Sequence, residues 1–178
     1  LAPGNGHYLN ANQRFAVDFV INEEVSPGKW KSHRNSGRQN TDYFAYGLDV
    51  LAPADGVVVQ VVDGVPDNPP GQTDVYFRLG NSVVLSFENG EYAYLSHLMM
   101  GSMRVRAGDR VQRGQALAKC GNSGNSTGPH LHFQLTDGPH ISHAGSLPAY
   151  FRNVRKNGTT QLEVLPQSGD RLENPPNS

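Results

Sequence analysis

The stretch from residue 121 to residue 135 constrains this chain most, because it joins a glycine-rich loop to an alternating strand. The loop half is small and polar, and its glycines and asparagines permit the positive φ angles of tight turns. In the strand half, polar side chains alternate with apolar ones: His130, His132 and Gln134 against Leu131, Phe133 and Leu135. A period of two predicts a β-strand with one apolar face and one face that carries the imidazoles.

The imidazoles of His130 and His132 should therefore project from the same strand face, with Cα atoms roughly 7 Å apart. They could share a metal ion, or one could bind the ion while the other transfers a proton. The competing interpretation is a solvated histidine pair on a half-exposed sheet. Because β-branched and aromatic residues suit an exposed strand better than histidine, and because a Gly-Pro entry fixes the loop before the pair, we expect a functional role.

Composition favours a single all-β domain and excludes several classes of function. The chain has 178 residues, which is enough for one domain with a core, and its 20 glycines and 12 prolines predict many turns. A net charge of -1 gives no electrostatic basis for binding nucleic acid or an anionic membrane. No apolar run is long enough to span a bilayer. The single cysteine, Cys120, excludes an intrachain disulfide and should be a buried core residue.

Alternation also predicts a strand over 14–21, on which Asp18 faces away from the apolar side. An ionised aspartate depresses β-propensity, so Asp18 should either be a structural residue, paired with Arg14 or with backbone amides, or be a metal ligand. Further strands are predicted before and after the Pro-x-Asp-Gly turn near residue 55 and over 75–79, 82–87, 92–98, 147–154 and 161–165. On the strand over 92–98, simple alternation places His97 on the face of Ala93 and Leu95.

The domain boundaries follow from breaks in this pattern. Residues 1–168 are expected to form one β domain, interrupted by a long polar and basic insertion loop over 22–43. Trp30 lies within this insertion, and we expect it to cover the core. Residues 169–178 are polar, contain prolines and are expected to form a flexible tail.

Four motifs resemble the lysostaphin-type (LytM-type) zinc metallopeptidases. They are Ala-Pro-Ala-Asp-Gly-Val-Val at 52–58, Tyr-Leu-Ser-His-Leu at 94–98, Val-x-x-Gly-Asp-x-Val-x-x-Gly-Gln at 105–115, and Gly-Asn-Ser-Gly-x-Ser-Thr-Gly-Pro-His-Leu-His-Phe at 121–133. The resemblance covers residues 46–135, about half of the chain. It implies an antiparallel β-sandwich or barrel-sandwich hybrid with long loops, an open groove on one sheet, and one zinc ion held by two histidines and one aspartate.

The chain departs from the family at the first metal motif, where the histidine position is Ala45 although Asp49 is present. A branch of the family carries a Gly-His segment followed by Gln-Arg-Phe/Tyr-Ala-x-Asp-Phe, which resembles residues 6–7 and 13–19 here. We therefore expect His7 and Asp18 to be the first two ligands. Two alternatives remain open: Asp49 with an isolated histidine such as His33, or a broken site in a domain that only binds.

The resemblance also assigns roles to the remaining histidines. His132 would be the third metal ligand, His130 the general base that takes a proton from a metal-activated water, and His97 a second catalytic imidazole. Spacing alone would also let His130 and His132 ligate the metal together. The implied protein is an extracytoplasmic zinc endopeptidase that hydrolyses peptide bonds of bacterial peptidoglycan.

Two further classes compete with this interpretation. Ala45 favours a catalytically inactive relative that binds or regulates cell-wall hydrolases. A sugar-phosphotransfer or lipoyl-like carrier is disfavoured, because no lysine lies at a predicted hairpin tip.

Overall fold

A seven-stranded antiparallel sheet forms the centre of the computed structural model, which describes residues 11–175. In spatial order its strands are β1 (Val17–Phe19), β10 (Leu131–Thr136), β7 (Tyr92–Leu98), β6 (Asn81–Ser86), β5 (Gly56–Val62) and β8 (Arg110–Val111), and β11 (Ser146–Leu147) also pairs with β10. The alternating stretch after the glycine-rich loop therefore becomes an interior strand of the main sheet.

Over the described residues, three smaller antiparallel sheets and two single-turn 3-10 helices accompany the main sheet. The sheets pair β4 (Asp49–Leu51) with β9 (Ala116–Lys119), β2 (Glu23–Ser26) with β3 (Lys29–Lys31), and β12 (Phe151–Lys156) with both β13 (Thr159–Val164) and β14 (Leu172–Glu173). The 3-10 helices span Ala11–Gln13 and Asn40–Asp42. The predicted all-β, antiparallel class with long loops is confirmed. Over residues 11–175, no helix has the length and apolar character needed to cross a membrane.

The core lies against one face of the main sheet, because β6 and β7 direct alternate apolar side chains to it. Each valine or leucine that is fully buried there contributes roughly 1.5–3 kcal/mol. Cys120 is also part of the core, as expected. The sheet strands contribute the following residues to the core cluster: Val58, Val83, Leu85, Ala93, Leu95, Leu98, Val111 and Phe133. The opposite face of β7 and β10 carries buried polar side chains, and these form the floor of the candidate site.

The strand predicted over 75–79 is wrong, because this segment is a loop on the surface. Its side chains have no sheet to pack against: Tyr76 is 90% exposed. The backbone instead bonds to the glycine-rich loop, with the amide of Asn125 donating to the carbonyl of Arg78 at 3.1 Å. An apolar run therefore supports the loop before the histidines rather than adding a strand.

The two segments set apart in the sequence are more regular than predicted. The insertion over 22–43 contains the β2–β3 hairpin, and the predicted tail contains β14, which pairs with β12. Trp30 is 42% exposed, and the centroid of its ring lies 5.0 Å from the guanidinium carbon of Arg171. It therefore stacks against a cation next to β14 and, contrary to expectation, is not part of the core cluster.

Gly124 offers a test of how tightly the glycine-rich loop is packed. It has φ +75°, and a Cβ there would lie 2.3 Å from the carbonyl oxygen of Phe77. Gly90 has a similar φ of +83° with open space around it. We expect Gly90→Ala to cost roughly 1–2 kcal/mol of unfolding free energy for the left-handed backbone. Gly124→Ala should cost clearly more, because the neighbouring backbone must move.

Urea unfolding of the two glycine variants, compared with the unmodified chain, measures this difference as a shift in midpoint at constant slope. Equal losses in the two variants would show that the loop has room to adjust and is not held by its neighbour.

Candidate active site

Strand register places Asp18, His132 and Ser96 in one row across three strands. Asp18 of β1 pairs with His132 of β10, and His132 pairs with Ser96 of β7. Directly opposed residues of antiparallel strands project from the same face. As a result, the Oδ1 atom of Asp18 lies 2.9 Å from the Nδ1 atom of His132. This pairing explains how an aspartate is accommodated in an otherwise apolar strand.

His130 lies at the end of the glycine-rich loop and is held in place through one ring nitrogen. Its Nδ1 atom is 2.8 Å from the carbonyl oxygen of Gly128 and 3.2 Å from the hydroxyl of Ser126. Because a carbonyl can only accept, Nδ1 carries the proton and the neutral ring has its lone pair on Nε2. That Nε2 atom lies 3.7 Å from Oδ1 of Asp18, so it faces the same space as the Asp18–His132 pair.

His97 joins this group because the backbone of β7 departs from simple alternation. The register between β6 and β7 shifts near Ser96 and His97, and His97 has φ +61°. Such a bulge redirects a side chain to the other face. The His97 ring consequently lies 4.8 Å from the His130 ring and 5.7 Å from the His132 ring, measured between centroids. The predicted placement with Ala93 and Leu95 is therefore wrong.

Burial holds the His97 ring neutral. Desolvation, helped by the neighbouring imidazoles of His130 and His132, lowers the pKa of His97 to about 3. Its Nδ1 atom lies 2.8 Å from the carbonyl oxygen of Ser123, so the proton is on Nδ1. The neutral His97 and the neutral tautomer of His130 thus both have an unprotonated Nε2 atom that can accept a proton.

The alternative ligands Asp49 and His33 have other partners. The carboxylate of Asp49 receives two hydrogen bonds from Arg104, at 2.8 and 3.0 Å, and these hold the pKa of Asp49 below its usual range. Lys119 lies 3.5 Å from the same carboxylate. The His33 ring packs against Tyr43, with centroids 5.2 Å apart.

The described residues give only part of a metal site. Over 11–175, no group of three or more His, Cys, Asp or Glu side chains comes together as a potential metal site. His7, the first predicted ligand, lies outside the described residues. The structure thus brings together Asp18, His132, His130 and His97, and the ligand role of His7 stays a prediction.

The site opens into a cleft of about 340 Å³ beside β1. The cleft is lined by Asp18, Val20, Ser32, Tyr43, Thr127, Gly128, Pro129 and His130. Ser32 and Tyr43 were not predicted from the sequence; the only signal was the length of the insertion that carries them. A larger cavity of about 1180 Å³ shares Asp18 and Val20 and continues between β1 and residues 165–173. The two cavities adjoin at these shared residues and form a groove along β1.

Sequence comparison now identifies the family. Residues 37–143, more than half of the chain, match peptidase family M23. The chain therefore belongs to peptidase family M23, and the predicted resemblance is confirmed. The match begins after Asp18 and includes all three histidines of the site.

Two of the curated proteins that the chain resembles are named as endopeptidases. The chain is 32% identical over 137 residues to the peptidoglycan DD-endopeptidase ShyA of Vibrio cholerae, covering 74% of this chain and 29% of that protein. It is 34% identical over 136 residues to the DD-carboxypeptidase/endopeptidase Mpg of Neisseria meningitidis, covering 73% and 28%. The chain thus spans less than a third of either relative.

A solved structure of lysostaphin from Staphylococcus simulans shows the same fold. Its TM-score is 0.50 at 23% identity, covering 80% of this chain and 45% of that one.

Proposed function

We propose that this chain is a zinc metalloendopeptidase that hydrolyses peptide bonds of bacterial peptidoglycan, acting outside the cytoplasm. The observation that carries the proposal is the approach of Asp18 Oδ1 to His132 Nδ1 at 2.9 Å, with the rings of His130 and His97 beside them. Membership of peptidase family M23 and the named activities of the relatives support the same reaction class.

The donor set fits zinc. One carboxylate oxygen and imidazole nitrogens are the borderline ligands that this ion takes in catalytic sites, with three protein ligands and one open position. Asp18 and His132 would supply two ligands, and the sequence motif proposes His7 for the third. Ser96 Oγ, opposite His132 in register, is a buried hydroxyl without a hydrogen-bond partner in the described part of the chain. An unsatisfied buried polar atom beside the pair suits a site that holds a further group.

The zinc ion would supply Lewis acidity, polarising the scissile carbonyl and lowering the pKa of a water molecule to about 7. The chain's own residues would then move the protons. His130 has its Nε2 lone pair beside Asp18, so it is placed to accept a proton as general base. The Nδ1 bond to Gly128 keeps the ring in that orientation.

His97 is proposed as the second catalytic imidazole. Because the ring is neutral with its proton on Nδ1, it first accepts at Nε2 and can donate to a leaving amine only afterwards. A direct role in stabilising an oxyanion would require a proton on Nε2, which the bond to Ser123 does not leave in the neutral ring.

The groove beside β1 suits an extended peptide. It passes Asp18, is bordered by Tyr43 on one side of the site, and continues along the C-terminal sheet. We therefore propose peptidoglycan peptides as the substrate and partner of the whole protein, and a location outside the cytoplasm.

Labelled cell-wall sacculi provide the direct test. The zinc-loaded chain should release new peptide amino termini, a chelator should stop the release, and added zinc should restore it. Mass spectrometry of the released fragments identifies the bond that is cut. A chain that binds one zinc and releases nothing would contradict the proposed reaction on this substrate. A chain that binds no zinc would contradict the proposed metal chemistry and would instead support an inactive binding relative, the class that Ala45 favours.

A further inference from the structure

Gln134 is a fully buried amide two residues after His132 on the same face of β10. Its Nε2 group donates a hydrogen bond to the backbone carbonyl of Asn12, and its Oε1 atom lies 3.4 Å from Nε2 of His132. The amide thus connects the candidate metal ligand to the 3-10 helix Ala11–Gln13, which precedes β1 in the chain.

The carbonyl of Asn12 determines which way the amide is oriented. A backbone carbonyl can only accept, so the NH₂ group of Gln134 must face Asn12 and the oxygen must face His132. An oxygen opposite His132 Nε2 requires a proton on that nitrogen. Nδ1 lies 2.9 Å from the Asp18 carboxylate, which can only accept, so a proton lies between these two atoms when no metal is bound. A metal ion held by both would replace that proton, so that Nδ1 coordinates while Nε2 keeps its proton.

Burial makes this arrangement hard to replace. Gln134 and His132 are 0% and 1% exposed, so water cannot substitute for the amide if it is removed. An outer partner that holds the second nitrogen of a ligand histidine fixes the tautomer and the ring orientation.

We propose that Gln134 is a positioning residue that fixes His132 with Nδ1 directed at a metal held together with Asp18. Through Asn12 it also ties β10 to the segment that follows residues 1–10. This inference rests on the proposed zinc site, and it adds a residue that neither the motif nor the comparisons assign.

Two variants distinguish the role of the Gln134 oxygen, which faces His132, from the role of its NH₂ group, which donates to Asn12. Gln134→Met keeps the length of the side chain and removes both bonds. It should weaken zinc binding by roughly 10–100-fold, the usual cost of losing such an outer partner. Gln134→Glu keeps an acceptor opposite His132 and removes the donor to Asn12. It should retain more zinc affinity than Gln134→Met, and cleavage by trypsin after Arg14 should become faster.

Thr136→Val is the matched control. Thr136 is also fully buried on β10, and its hydroxyl donates to the carbonyl of Gly138 at 2.9 Å without contacting His132. This variant should lose stability and keep the zinc affinity of the unmodified chain.

The readouts are zinc affinity, measured by competition with a chromogenic chelator, and the imidazole NMR spectrum of the zinc-loaded chain. His132 should show an Nε2 proton protected from exchange, and Gln134→Met should lose that protection. If the unmodified chain binds zinc and Gln134→Met matches it in both readouts, the positioning role of Gln134 is overturned, while the proposed function still stands. If the unmodified chain binds no zinc, the proposed function fails as well.

Discussion

Replacing Asp18 by Asn should remove zinc from the chain and reduce the release of cell-wall peptides by more than about 100-fold, beyond the cost typical of losing an outer partner. Asparagine matches aspartate in shape, so β1 can keep its pairing with β10. The substitution removes the negative charge 2.9 Å from His132 Nδ1. A neutral amide is a far weaker ligand for a divalent ion than a carboxylate.

The measurement is zinc content per chain by atomic emission, taken with the rate of peptide release at saturating zinc. Both quantities should fall together, because the ion is required for the reaction. Circular dichroism and the urea midpoint report whether the fold has survived the substitution.

Asp49→Asn is the control for this experiment, because Asp49 stands at the family's usual aspartate position. Its carboxylate is already bound by Arg104 and lies near Lys119, and half-exposed ion pairs of this kind contribute little to stability. Zinc content and activity should therefore be unchanged. Loss of zinc in Asp49→Asn with retention in Asp18→Asn would reverse the proposed ligand assignment.

Local sequence patterns were sufficient to predict strands and side-chain directions, which depend on residues that are neighbours in the chain. Alternation identified β10 and the face that carries His130 and His132, because side-chain direction in a strand has a period of two. The same rule failed at His97, where one extra residue in β7 reverses the direction of the side chain. It failed again over 75–79, because apolar character cannot show whether a sheet edge is available.

Long-range pairing could not be predicted from the residues alone. Asp18 and His132 are 114 positions apart, and only the strand register brings them together. The family resemblance proposed that they meet, whereas spacing gave no reason to choose Asp18 over Asp49. Gln134 and Tyr43 were missed because a polar residue on a strand and an aromatic residue in a loop have no distinctive pattern. Their roles depend on partners from other parts of the chain.

Replacing His130 by Ala should lower kcat/KM for peptide release by roughly 10²–10⁴-fold, the usual contribution of a general base, while zinc stays at one per chain. The reason is that the His130 Nε2 lone pair lies 3.7 Å from Asp18 Oδ1, beside the proposed ion rather than in its ligand set. Zinc content and steady-state kinetics on the same preparation test both halves of this expectation.

Two further variants serve as controls for His130→Ala. One removes a histidine outside the site, and the other removes a hydrogen-bond partner of His130. His143 is exposed and bonds to Ser142, so His143→Ala should leave activity unchanged. Ser126→Ala removes one of the two partners of His130 Nδ1 and leaves the carbonyl of Gly128 in place. Its effect should be smaller than that of His130→Ala. Because spacing also permits His130 and His132 to ligate together, loss of zinc from His130→Ala would move His130 from proton transfer into the ligand set.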